Sequence, residues 1–175
     1  MQDNERKNIN KCYAELGKMS SLKSYLADWR ITFLKNRDLV FRKIASVESP
    51  SGEPDFAVNY KDGKKQSFFV VEDIFNISHF LSKLSNDFYF SIITLNSEKN
   101  FKVLLEKWND LIQFKSLSVY FLNPFSASEK KLILHPYTHN KISEPASLKL
   151  GLKSLFENVE QITIEELDEK LKAQT

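Results

Sequence analysis

The chain is poor in the residues that would place it in several special classes. It has one cysteine, Cys12, so no intrachain disulfide can form and no cysteine-based zinc site can be built. A lone cysteine in an amphipathic stretch reads as a packed, inert thiol and suits a cytoplasmic setting. Four glycines and five prolines exclude collagen-like and glycine-linker architectures. No apolar run approaches the length of a membrane span, so no membrane association is expected. The segment from Met1 to Lys11 is polar, lacks an apolar stretch, and is not expected to be a secretory signal. The catalytic signatures G-x-S-x-G and H-E-x-x-H are absent, as is any glycine-rich phosphate loop.

What remains is an ordinary globular composition. The 175 residues are 42% hydrophobic and 27% charged, with a formal net charge of +2, enough chain for one well-cored domain. The chain divides into a flexible N-terminus over 1–9 and one α/β domain over 10–175. Apolar residues at helical spacing predict a helix from about 10 to 36, weakened near Gly17 and Ser20–Ser21. Strands follow over 39–48, 56–61 and 66–73, the last two joined by Asp62-Gly63, a strong hairpin signal. A short helix over 77–84 leads to a strand at 88–95, a helix to about 114 and a strand at 117–122. That β-α-β order predicts parallel strands. A short strand at 131–135 and two helices close the chain. Pro145 opens the first, and Thr163 with Glu166 forms a capping box for the second.

In the order helix, three strands, helix, strand, an acid, Asp55, lies just before the second strand. Another, Glu72, lies near the end of the third. On these features the chain resembles the PD-(D/E)xK, or restriction-endonuclease-like, superfamily. The fold expected is therefore a mixed β-sheet with helices on both faces, a restriction-endonuclease-like core plus C-terminal helices. The resemblance implies that Asp55 and Glu72, assisted by Asp73, bind Mg²⁺, with Glu15 as a further acidic ligand. Mg²⁺ would activate water for phosphodiester hydrolysis. The position two after Glu72 is Ile74, where the family has lysine. The resemblance then assigns the lysine's role to Lys83 on the following helix and describes a degenerate nuclease-like domain.

Charge supports a nucleic-acid partner. Between residues 11 and 43 eight bases face three acids. Lys18, Lys23, Arg30, Lys35 and Arg37 are the candidate phosphate contacts, with Tyr25 or Trp29 as candidate stacking residues. The alternative is a non-catalytic protein-interaction module or homo-oligomer that exposes some of its 14 phenylalanines. A third reading places a small ligand at the parallel strand ends near Asn96 and Asn123. His135 and His139 would sit about 13 Å apart along an extended chain, and could share a metal only if the chain turns after Pro136. The segment reads more simply as a strand end leading into a loop.

Overall fold

Leu39, Val40 and Phe41 look like the opening of a strand in the sequence, but they close a helix. In the computed structural model α1 spans Gln2–Phe41, starting ahead of the predicted position and running through Gly17 without a break. The structure describes the backbone of residues 2–74, 77–82, 84 and 88–173, and side chains from residue 22 onward except residue 78. Helix α1 ends because Arg42 takes a left-handed conformation, φ 50°, which terminates the α ladder. Strand β1 (Ile44–Glu48) is therefore shorter than expected. Strands β2 (Phe56–Tyr60) and β3 (Lys65–Val70) form the expected hairpin. Gly63 supplies φ 83° in its turn, where a side chain would be strained.

After the short helix α2 (Ile77–Leu81), β4 (Tyr89–Leu95) and β5 (Leu117–Leu122) pair in parallel. Helices α3 (Glu98–Glu106) and α4 (Trp108–Leu111) connect them. Strand β6 (Lys131–Leu134) returns antiparallel to β5. The chain then turns straight into α5 (Pro136–Ile142), where a loop was expected. Pro136 suits the first turn because its missing N–H would have no helical partner there. Helix α6 is Pro145–Glu157, and α7 is Ile164–Lys172. The capping box forms as expected: Thr163 Oγ1 accepts the Glu166 N–H at 3.2 Å, and Glu166 accepts the Thr163 N–H at 2.8 Å.

The six strands lie in sequence order, β1 to β6. Strand β2 pairs antiparallel with both β1 and β3, and β3 runs parallel to β4. Alternation along the strands divides the core. Phe68 and Val70 face α1 and pack with Leu22, Leu26, Phe56 and Ile93, to which α7 adds Leu167. Phe69 faces the other way, toward Ile92, Phe101, Leu104, Trp108 and Phe156. Helices thus cover both faces. Among the described residues no helix is long and apolar enough to cross a membrane.

One polar residue breaks the pattern on the α1 side. Arg30 is 3% exposed, and its Nε and Nη1 have no hydrogen-bond partner. Its guanidinium carbon lies 4.3 Å from the centre of the Tyr120 ring. Burial pulls its pKa below the ordinary arginine value, against the opposing influence of Tyr120. A buried cation without a carboxylate costs more than ring contacts return. Arg30→Met should therefore leave stability unchanged or raise it by about 1 kcal/mol. Urea unfolding checks this; a comparable loss would show that the ring contacts outweigh desolvation.

Candidate functional site

Asp55 lies at the end of the β2–β3 hairpin beneath α1. The Asp55 N–H donates to the Phe68 carbonyl at 3.0 Å, which extends the β2–β3 ladder by one residue. Its Oδ2 accepts the Val70 N–H at 2.8 Å. Asp55 is thereby fixed to β3 two residues before Glu72. Helix α1 lies over the same sheet face because Leu22 and Leu26 pack on Phe56 and Phe68. That packing brings Lys23 down to the hairpin, with its Nζ 2.8 Å from Asp55 Oδ1. Lys23 and Asp55 line a cleft of about 300 Å³ together with Ser24, Asp28 and Ser49.

Glu72 lies in the bend just after β3, where its carboxyl feels the charge of Lys23 on α1. Its Oε1 is buried and without a partner. Burial pushes the carboxyl up to about 7, and the positive charge of Lys23 offsets only part of that rise. The backbone behind it is held firmly. Asn100, at the start of α3, donates from Nδ2 to the Glu72 carbonyl at 3.0 Å and to Thr94 Oγ1 at 2.7 Å. Its Oδ1 accepts the Ile74 N–H at 3.2 Å. One buried amide thus fixes the loop that carries Glu72.

The raised pKa gives a signed prediction for the metal-free protein. Folded Glu72 holds its proton more tightly than the unfolded chain does, whose value is near 4.5. Its contribution to stability is then complete below about pH 4.5 and is lost as pH rises to about 7. Glu72→Gln should flatten that window and be more stable than the parent at pH 8. Thermal unfolding in EDTA at pH 5 and pH 8 tests it, and a parallel decline in both proteins would contradict the burial assigned to Glu72.

The remaining sequence candidates fall in different places. Asp73 ion-pairs with Lys99 on α3. Lys83 lies outside the described residues, as do the side chains of Glu15, Cys12 and Lys18. Lys23 ion-pairs with Asp55. Arg30 is enclosed in the core, which removes it from any surface set. Lys35 and Arg37 are exposed on α1. Tyr25 stacks on Phe125 and Trp29 on Phe33, so both rings are engaged within the protein.

Asn96 and Asn123 hold the segment before α7. Asn96 Nδ2 donates to the Val159 carbonyl at 2.7 Å, and Asn123 Nδ2 donates to the Glu160 carbonyl at 2.9 Å. His135 and His139 stand one helical turn apart with stacked rings, their centres 6.2 Å apart. His135 Nδ1 lies 3.0 Å from Ser118 Oγ, and His139 Nδ1 lies 2.9 Å from the His135 carbonyl. Burial, and then the neighbouring His139, lower the His135 pKa. Among the described residues no group of three or more His, Cys, Asp or Glu side chains is placed to hold a metal.

The sequence marks Lys23 only as a phosphate contact, and it does not single out Asn100. Lys23 stands next to Leu22 and seven before Arg30, on the flank of the buried helical stripe. Two bases at that spacing beside Ala27 and Leu34 carry a signal of inward-facing charge. Asn100 gave only a weak signal, as one polar residue within the amphipathic pattern of α3. No protein family model, curated protein or solved structure matches the chain.

Proposed function

We propose that the chain is a nucleic-acid-processing domain of the restriction-endonuclease-like kind, with Lys23 in the role of the lysine missing after Glu72. The observation that carries this reading is the convergence of Lys23 on both acids: an ion pair with Asp55 and an electrostatic influence on Glu72. The element order helix, three antiparallel strands, helix, strand supports it.

The donor set suits a hydrated Mg²⁺, which keeps several waters and needs only one or two carboxylates. Asp55 and the unpartnered Glu72 Oε1 would hold it. Bound there, Mg²⁺ would supply a polarised water and neutralise phosphoryl charge. The rest is the chain's own chemistry. In the metal-free protein burial holds the Glu72 carboxyl near 7, so metal would bind its ionised form with release of that proton. The Lys23 ammonium stabilises negative charge as it develops on the phosphoryl oxygens. Asp55, fixed by the Val70 N–H, positions Lys23. Lys35 and Arg37 extend a basic surface along α1 for the substrate backbone.

The test is a Mg²⁺/Mn²⁺-dependent cleavage and binding assay on single- and double-stranded DNA and RNA. Cleavage that is lost in Asp55→Asn and in Glu72→Gln supports the proposal. Salt-sensitive binding without cleavage would reduce it to a degenerate binding domain. Neither cleavage nor binding would remove the nucleic-acid reading.

A further inference from the structure

Strand β1 heads the six-strand order, so its outer edge has no neighbour in the sheet. Such an edge offers unpaired N–H and C=O groups, and proteins usually protect it with lysine, proline or a covering segment. The β1 residues Ile44-Ala45-Ser46-Val47-Glu48 include neither lysine nor proline. The only irregularity is a register shift between Ile44 and Ser46.

Beside this edge the last turns of α1 enclose a groove of about 450 Å³. Leu39, Ile44 and Val47 give it an apolar floor, and Lys35, Arg42 and Lys61 give it a basic rim. Asp38 is the one acid of the lining, and both its oxygens are occupied. They accept the N–H groups of Lys43 at 2.7 Å and Ile44 at 3.0 Å, which fixes the corner between α1 and β1. The rim is therefore cationic without an acid free to balance it. Leu39 is 74% exposed, so part of this apolar lining is open to solvent, and its helix neighbour Val40 is 80% exposed.

We propose that this groove docks an extended acidic segment of a partner protein, which adds a strand to β1. The free edge supplies main-chain hydrogen bonds. Alternate side chains of the guest meet the apolar floor, and its carboxylates meet Lys35, Arg42 and Lys61. Charge decides between guests. A second copy of the chain would bring the same three cations against themselves, which is repulsive. A nucleic acid would satisfy the cations but use neither the strand edge nor the exposed leucine and valine.

The experiment is a fluorescence anisotropy titration of the full chain with a labelled, acetylated peptide alternating glutamate and valine. Three further arms are the same peptide N-methylated at alternate residues, its lysine–valine counterpart, and a single-stranded oligonucleotide competitor. The variant is Arg42→Gly with Lys61→Glu; both positions are exposed, and glycine suits the φ of 50° at residue 42. The acidic peptide should bind in a salt-sensitive way. N-methylation and the double variant should each weaken it at least tenfold, and the lysine peptide should not bind. Equal affinity for the N-methylated peptide would overturn strand addition. No binding of the acidic peptide would overturn the proposal, whether the oligonucleotide occupies the groove or the chain self-associates through it. None of these outcomes depends on Asp55, Glu72 or Lys23, so the nuclease reading stands or falls separately.

Discussion

On the proposed nuclease reading, Lys23→Met should lower metal-dependent cleavage by roughly 10²–10³-fold, the usual loss when one charge stabiliser of a transition state is removed. The reason is positional. Lys23 Nζ is 2.8 Å from Asp55, and its charge is felt by Glu72; among the described residues it is the one cation lining the cleft. The side chain is partly exposed, and methionine keeps its length and apolar stem, so the fold should survive. Removing the ammonium also frees Asp55 Oδ1, so Mn²⁺ should bind the variant as tightly as the parent or more so. Calorimetric titration reads that independently of turnover. Lys23→Arg separates two roles. Arginine stays protonated, so retained activity would mean that Lys23 acts as a charge, whereas loss would mean that a neutral amine handles the proton. Cleavage unchanged in Lys23→Met would exclude Lys23 from the chemistry.

Much of the fold was legible because its signals are local. Asp62-Gly63 fixed the hairpin, since only a turn with positive φ closes it. The apolar run over 88–95, the amphipathic stretch after it and the strand at 117–122 defined a parallel unit. Thr163 and Glu166 marked the start of the last helix. The failures are places where a local pattern has two physical solutions. Leu39-Val40-Phe41 is rich in strand-forming residues, yet the preceding turns of α1 continue through it because extending a formed helix is easier than starting a new element. His135-Pro136 reads as a breaker and a loop, but proline equally opens a helix.

Asp55 and Glu72 could be picked out as candidates because both flank adjacent strands. The ion pair of Lys23 with Asp55 could not, because sequence spacing searches near the motif. Lys23 arrives by helix packing across the sheet, driven by Leu22 and Leu26. The phosphate-contact set had the opposite failing. Arg30 is hydrophilic by type, and only tertiary burial shows that it faces Tyr120.

Asn100→Ala should cost about 3 kcal/mol or more, the largest stability effect expected of a single polar substitution in this chain. Asn100 is 2% exposed and serves four backbone or side-chain groups from two segments. Alanine leaves the Ile74 N–H and the carbonyls of Glu72 and Leu95 without their amide partner, in a place where water has little access. Each unsatisfied buried group costs about 1–3 kcal/mol, and residual bonds elsewhere soften the sum. At this chain length the melting temperature should fall by roughly 6–12 °C.

Asn100→Asp has nearly the same shape and makes the sharper comparison. It keeps the oxygen that accepts from Ile74, but turns the donor that faces three acceptors into an anion. It should therefore be less stable than Asn100→Ala at pH 7 and recover part of the difference as pH falls toward about 4, because burial among carbonyls raises the new carboxyl's pKa and it takes up a proton well above its unfolded value. A stability profile in which both variants lose the same amount at every pH would show that Asn100 fills space rather than donating. Because its amide holds the carbonyl of Glu72, Asn100→Ala should also lower cleavage at a temperature where the variant remains folded, with substrate binding preserved. That split makes Asn100 a positioning residue for Glu72. Cleavage that falls only in step with the folded fraction would leave it a purely structural clamp.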